Sequence, residues 1–350
     1  MLGPLLGCIA VLLLLSTLIA RIRLRWWWIR SFEFPRLQIA LLAGVCALAS
    51  WMLLEPGKWR MASTGLSLLT LLIQLRYIIP WTRLWPVQVK STHEAPSNQK
   101  ITLLIANVLT PNRQADKLLS MIEQYQPDIV LTLESDQWWQ DQLDQALEDK
   151  WPNSVKIPLD NLYGMHMYSR LTLSEIQDDI PSIHTYVTLE SGDRIRLYAL
   201  HPRPPAPSES EKSLWRDAEL LLVGKEIHRH PSATLVAGDL NDVAWSRTTR
   251  RFCRISGMLD PRRGRGMFST FHANYPVLRW PLDHVFVSEH FTLDSMQRLD
   301  AFGSDHFPIL ATLCYRPTRQ NEHETPEASQ EERQEASETI EKGKAETQQT

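Results

Sequence analysis

Two charge-free runs near the start of the chain constrain it more than any other feature. Residues 2–20 and 37–54 carry no Asp, Glu, Lys or Arg. At about 1.5 Å of rise per residue, a helix over either run would cross a hydrocarbon core of about 30 Å. Neither run has a polar face, so buried helices of a water-soluble protein are a poor fit. A third run, 61–75, contains Gln74 and reaches spanning length only if it continues past Arg76 to Trp81. That arginine would have to snorkel or face a neighbouring helix. A cleaved signal peptide is disfavoured, because nothing basic precedes the first run while Arg21, Arg23, Arg25 and Arg30 follow it. Trp26, Trp27 and Trp28 beside those arginines suit the headgroup region. Residues 1–90 are therefore expected to be a membrane anchor of two to three transmembrane helices.

Orientation follows from charge. The loop after the first run holds Arg21, Arg23, Arg25, Arg30 and Arg36 against Glu33 alone, whereas the second loop holds Lys58 and Arg60 with Glu55. Basic residues accumulate on the cytoplasmic side. With three crossings, the remainder of an integral protein of the plasma (inner) membrane faces the cytoplasm. With two, it faces outward.

The formal net charge of −3 conceals three unlike pieces. Residues 1–90 hold ten basic against two acidic residues, and residues 320–350 hold three against nine. The middle is mildly acidic, which disfavours a domain that coats nucleic acid through overall positive charge. After Pro317 the chain is rich in Glu, Gln, Ser, Thr and Lys, with Ile340 its one large apolar residue. Such a segment buries too little to offset its ordering entropy, so 317–350 is expected to be a disordered acidic tail. Cys8 and Cys46 lie in apolar runs, and Cys253 and Cys314 are too far apart for a Cys-x-x-Cys motif. All four read as small buried hydrophobes.

Between anchor and tail, short apolar runs alternate with amphipathic stretches. Strands are expected at 101–108, 128–134, 182–190, 194–201, 234–237, 282–288 and 307–315. Helices are expected from about 112 to 125, 137–147 and 211–228. Ser191-Gly192-Asp193 is a hairpin signal, and Ser208 and Ser210 mark a helix start after a proline-rich loop. The pattern argues for an α/β (α+β) domain built on sheets.

Polar residues at strand ends are the ones to question, because loops leaving a rigid sheet carry sites. Asn107 ends one strand, Glu134 a second and His201 a third. Asp239 and Asn241 follow Leu235-Val236-Ala237, Asp283 opens a late strand, and Asp305 and His306 precede the last one. Singly, each is an ordinary turn or surface residue. Together they have a logic. Glu134 with Asn107 offers the oxygen ligands that magnesium prefers. Asp283 and His306 have the pairing a histidine needs to hold its tautomer and carry a charge. Asp239 is a candidate for orienting water, with the Asn241 amide and His201 as donors to developing negative charge.

In their order, Ile105-Ala106-Asn107-Val108, Leu133-Glu134, His201, Gly238-Asp239-Leu240-Asn241, Leu282-Asp283-His284-Val285-Phe286 and Gly303-Ser304-Asp305-His306-Phe307-Pro308 resemble the endonuclease/exonuclease/phosphatase superfamily. That superfamily includes pancreatic deoxyribonuclease, abasic endonucleases, sphingomyelinases and inositol-polyphosphate phosphatases. The resemblance covers roughly 100–316, and it implies a four-layer sandwich of two packed β-sheets flanked by helices over 95–316. It further implies Glu134 as principal ligand of Mg²⁺ (or Mn²⁺), with Asn107 nearby and Asp305 at the metal or water site. His201, Asp239, Asn241, Asp283 and His306 would be catalytic. Many members carry a polar residue where this chain has Leu109, which puts a two-metal mechanism in doubt.

The leading expectation is a membrane-anchored phosphoester hydrolase whose partners are the bilayer and a phosphate-ester substrate, with no obligate protein partner. The substrate could be nucleic acid, a lipid headgroup or a small molecule. A nuclease would be served by an arginine cluster of Arg247, Arg250, Arg251, Arg254, Arg262, Arg263 and Arg265, of which Arg247, Arg250 and Arg251 are the candidate substrate-binding residues. A sphingomyelinase-like lipid headgroup phosphodiesterase would be served by the anchor itself. A catalytically inactive membrane scaffold is the alternative of a different class.

Overall fold

The computed structural model describes residues 1–92, 94–179, 182–205 and 212–347. The chain divides into two compact units. One comprises Met1–Pro86 with the short stretches Pro205–Ser213 and Gly264–Gly266. It is built on α1 (Leu2–Ile19), α2 (Trp27–Ser31), α3 (Arg36–Leu53) and α4 (Lys58–Ile78). Three segments are long and apolar enough to cross a membrane: α1, α3, and α4 with its continuation to Trp81, at mean hydropathies of 2.4, 1.6 and 1.4. The third run is thus one uninterrupted helix through Gln74 and Arg76, with Pro80 in the short 3₁₀ turn that ends it.

This unit buries several polar residues among small apolar ones and exposes many of its large apolar ones. Thr17, Ser50, Ser63, Ser67, Thr70 and Gln74 are fully buried, while Leu41, Leu48, Met52 and Leu72 stand more than half exposed. Gln74 donates to Thr17 Oγ1 at 2.8 Å and accepts from Arg36 at 3.2 Å, joining all three long helices. Arg36 also lies over the Tyr77 ring. Gly3 and Gly7 of α1 leave room for the Trp59 ring of α4, because a Cβ at either position would press on it. Small residues at contacts and polar stitches between helices are how helices associate where apolar burial supplies no drive. Cys8 is exposed rather than buried.

The second unit comprises Val87–Pro204, Leu214–Arg263 and Met267–Thr350. Its strands are β1 (Lys100–Asn107), β2 (Ile129–Leu133), β3 (Asn153–Ile157), β4 (Met165–Ser169), β5 (Thr172–Asp179), β6 (Ser182–Thr188), β7 (Arg194–Leu200), β8 (Thr234–Asp239), β9 (Asp283–Val287), β10 (Phe291–Arg298) and β11 (Ile309–Tyr315). Its helices are α5 (Ala115–Tyr125), α6 (Gln137–Leu147), α7 (Leu214–Arg229), α8 (Arg247–Ser256) and α9 (Gln330–Thr347). One sheet has the order β10-β11-β1-β2-β4-β3, the other β5-β6-β7-β8-β9. Each contains one parallel pair, β1 with β2 and β7 with β8.

Side chains alternate across a strand, and here both faces of the central strands are covered. Ile101, Leu103 and Ile105 meet Leu131, Leu197, Leu235 and Val285 between the sheets. From the opposite face of the first sheet, Leu104 and Ala106 pack with Leu118 and Ile122 of α5 and Trp139 and Leu143 of α6. Tyr198, Val236 and Phe286 do the same with Leu220 and Val223 of α7 and Phe252 of α8. The result is a four-layer sandwich, helices outside two face-to-face sheets.

Sequence patterning does not bring out β3, β4, β5 or β10. β4 reads Met-His-Met-Tyr-Ser, yet all five residues are buried. β10 is an edge strand whose second half is largely exposed. The expected helix start at 208–211 lies outside the described residues, and α7 is seen from Leu214.

The tail corrects an expectation. Instead of disordered chain, α9 docks Ala336 and Ile340 on Leu221 of α7 and Ile255 of α8. Glu332 pairs with Arg254, and Glu335 with Arg247 and Arg251. Read alone, the segment has too little to bury. An alanine and an isoleucine one helical turn apart, between carboxylates that meet arginines, supply what was missing.

Candidate active site

Register brings the polar strand ends to one edge of the sandwich. Asn107 ends β1, opposite Leu133, so Glu134 follows directly beside it. β11 runs antiparallel to β1 with Ile309 opposite Ile105, which returns His306 to the same edge. In the other sheet Asp239 and Asp283 are directly paired, and His201 follows β7. Gly238 permits this approach. Its φ is +137°, and a Cβ there would strike the Leu200 carbonyl oxygen.

The side chains converge. The fully buried Asn107 amide donates to Glu134 Oε1 at 2.7 Å and to Asp239 Oδ2 at 3.2 Å. His306 meets Asp283 Oδ2 through Nδ1 at 2.8 Å and Asp239 Oδ2 through Nε2 at 3.5 Å. His201 Nε2 lies 4.0 Å from Glu134 Oε1. Asp239 Oδ1 accepts the Asn241 backbone N–H at 2.8 Å, and the Asn241 side chain donates to the Pro202 carbonyl at 3.1 Å. Asp305 is near enough to act electrostatically on Glu134 and His306, and its carbonyl accepts from Ala273. Leu109, where a polar residue is common in the resembled superfamily, has φ +59° and gives its N–H to Asn107 Oδ1.

Burial drives the electrostatics. Burial pushes the Glu134 carboxyl up to about 7, against the opposing effects of Asn107 and His306. Burial likewise raises Asp239, while His306 works against it. Burial would lower His306, but Asp283 and Asp239 outweigh it and the imidazole rises to about 10. It is a cation held between two acids. His201 goes the other way, to about 4, through burial and the nearby His306. One histidine is therefore charged and the other neutral at pH 7.

The cluster fits a divalent cation. Ligand atoms of Glu134, His201 and Asp239 lie within 4.8 Å of one another. Glu134 Oε2, Asp283 Oδ1 and His201 Nδ1 are buried without a hydrogen-bond partner. Glu134 and Asp239 supply the carboxylate oxygens a hard cation prefers, and the Asn107 amide N–H groups hold both carboxylates in place.

The candidate substrate-binding arginines are employed elsewhere. Arg247 and Arg251 donate to Glu335, and Arg250 to the Ser246 carbonyl. The structure does not place them in the carboxylate–histidine cluster.

Sequence reasoning missed the buried braces. Arg262, fully buried, pairs with Asp260, donates to the Asp283 carbonyl at 3.0 Å and meets His284 Nδ1 at 2.6 Å. His284 Nε2 is then left to donate to the Asp242 carbonyl at 2.9 Å, tying β9 to the loop after β8. Arg216 grips that loop from the other side, through the Asn241 carbonyl at 2.7 Å and Asp242 Oδ2 at 3.3 Å. Ser304 Oγ donates to the Asn107 carbonyl at 2.7 Å and accepts the His306 N–H at 3.0 Å. Only their polar character next to motif residues could have signalled them.

Residues 104–306, more than half of the chain, match the Endonuclease/Exonuclease/phosphatase family. The chain belongs to that family. Members are phosphoester hydrolases. No curated protein matches the sequence. Among solved structures, Danio rerio TDP2 in complex with a single-stranded DNA product superposes with a TM-score of 0.51 at 18% identity, covering 61% of this chain and 98% of that one. The human nocturnin catalytic domain with bound sulfate gives 0.50 at 15% identity, covering 62% and 95%. A family protein from Bacteroides vulgatus gives 0.50 at 15%, covering 62% and 99%. At these identities the likeness establishes the fold.

Proposed function

We propose that the family member is a membrane-tethered, Mg²⁺-dependent phosphoester hydrolase. The observation that carries this is the His306 imidazolium between Asp283 and Asp239, beside Glu134 and Asn107. Glu134 and Asp239 would hold the cation, with the Asn107 amide fixing both carboxylates and Asp305 close by. When bound, it would neutralise phosphate oxygens and polarise the scissile group. Asp239 has one oxygen fixed by the Asn241 N–H and the other near His306, an arrangement that orients a water for attack. His306 would stabilise charge developing on the phosphoryl oxygens, with Asp283 holding its tautomer. His201, neutral and buried, would contribute a hydrogen bond rather than a charge. An inactive scaffold has no use for so complete a cluster.

The test takes the full-length protein in detergent with Mg²⁺ against plasmid DNA, RNA, sphingomyelin and phospholipid vesicles, inositol phosphates and bis(p-nitrophenyl) phosphate. Asp239→Asn and His306→Ala should each lower turnover by about 10²-fold or more on whatever is cleaved. Glu134→Gln should demand more Mg²⁺. Undiminished turnover in the first two, or an unshifted Mg²⁺ titration in the third, removes those residues from the mechanism.

We infer that, if all three helices cross with the arginine-rich first loop inside, the catalytic unit lies in the cytoplasm, and that with two crossings it would face outward; the three candidate spans support the first. Reporter fusions at Gln88 and Arg319 check this. Alkaline phosphatase activity with a dark fluorescent-protein fusion at both sites would reverse the side.

A further inference from the structure

Beside His201 stands a cation that the proposed chemistry does not use. Tyr163, nearly buried, has its ring 5.8 Å from the His201 ring. The Arg203 guanidinium sits over Tyr163 at 5.3 Å and over Trp215 at 5.6 Å. Arg203 is exposed and makes no ion pair within 4.0 Å among the described residues. Its neighbouring acid, Glu219 of α7, is pushed up to about 7 by burial, against the opposing effect of the Arg203 charge. Trp215 Nε1 is buried without an acceptor.

Placement is as deliberate as composition. The backbone before Arg203 is tied to the active site, since Pro202 O accepts from the Asn241 side chain. Arg203 lies between Pro202 and Pro204, and prolines fix their own φ and restrict the residue before them. A cation on a stiffened backbone that already sits over two rings loses less freedom when it binds. Aromatic contact leaves the fork of N–H donors at the edge of the guanidinium available, and that edge matches phosphate geometry.

We propose that Arg203, seated on Tyr163 and Trp215, forms a subsite for a second phosphate of the substrate. This deepens the hydrolase reading and rests on it. The preferred substrate then carries a phosphate next to the one that is cleaved. A phosphorylated nucleic-acid end and a phosphorylated lipid headgroup share that chemistry. If the arrangement served packing alone, it would discriminate nothing between the two members of a probe pair.

The experiment measures binding to the full chain in detergent, with Ca²⁺ in place of Mg²⁺ to slow turnover. Two probe pairs differ by one phosphate: the dinucleotides dTpdT and its 5′-phosphorylated form, and glycerophosphoinositol and its 4-phosphate. In at least one pair the extra phosphate should tighten binding about tenfold, as a charge-assisted contact would. The pair that responds names the source. Arg203→Ala should bring the ratio to about one, and Arg203→Lys, which keeps charge but not the fork, should fall between. No preference in either pair, or a preference that survives Arg203→Ala, overturns the subsite. Turnover of bis(p-nitrophenyl) phosphate by the wild type with Mg²⁺ is read separately, and its absence counts against the hydrolase reading rather than the subsite.

Discussion

The helical unit and the sandwich solve burial in opposite senses. In the first, Thr17, Ser50, Ser67, Thr70 and Gln74 are inside and leucines are outside. In the second, Leu103, Leu131, Leu197 and Leu235 are inside, and the buried polar residues of the site gather at one edge. The difference is the one expected if the helical unit is the proposed membrane anchor and the sandwich stands in water. In water, burying apolar area is the dominant favourable term, at about 25 cal/mol per Å². In hydrocarbon that term vanishes between helices, and a hydrogen bond such as Gln74 to Thr17 becomes the specific contact. Arg36 follows the same logic, buried at the end of a polar chain and under Tyr77 rather than exposed.

Matched exchanges test the comparison where its expected effect is largest. Leu131→Asn places an amide between the sheets, where nothing accepts it, and should cost about 3–5 kcal/mol through lost burial and an unsatisfied polar group. Gln74→Leu makes the opposite exchange in the helical unit. By the rule that governs the sandwich it should stabilise. By the rule inferred for the helices it should destabilise by about 1–2 kcal/mol, since two interhelical hydrogen bonds go and Arg36 loses an acceptor. Denaturation in mixed micelles, followed by proteolysis of each unit, reads both. A more stable Gln74→Leu protein would mean that the polar seam is incidental to helix association.

What the sequence shows, and what it hides, follows from range. The spans are legible because eighteen or more apolar residues in a row need no partner to interpret. Asn107, Glu134, His201, Asp239, Asn241, Asp283, Asp305 and His306 are legible because each stands at a strand end or loop where an apolar run stops. Their meeting depends on register, such as Asp239 opposite Asp283, and local pattern carries no register. Arg262 and Arg216 are invisible for a different reason. Their partners include backbone carbonyls of Asp283 and Asn241, which every residue possesses, so nothing in residue type announces the contact. In the sequence Arg216 is one more arginine, and Arg262 stands in the cluster suited to tracking phosphates, whereas it is fully buried against Asp260. β4 hides because its methionines and buried His166 lack the β-branched signature.

The smallest effect lies where a third kind of surface meets water. α9 belongs neither to the apolar-faced helices nor to the core between the sheets, and it is held by two apolar residues and a row of charges. The charged partners are partly solvated, with side-chain exposures of 25%/26% for Arg247–Glu335 and 31%/25% for Arg254–Glu332. Such pairs contribute about 0.2–1 kcal/mol each and weaken with salt, because the Debye length falls from about 10 Å at 0.1 M to about 3 Å at 1 M. Ile340, by contrast, packs in a contact that salt leaves intact or strengthens. Glu332→Gln with Glu335→Gln should therefore loosen α9 by about 1–2 kcal/mol at low salt and by much less at 1 M. Ile340→Ala should loosen it equally at both. Hydrogen exchange of residues 330–347, read against the unchanged strands of the sandwich, separates the two. Exchange in the double glutamine variant that is faster than wild type by the same factor at both salt concentrations would show that the carboxylates act through short hydrogen bonds that salt does not screen. The arginines of α8 would then have no long-range electrostatic claim on the tail.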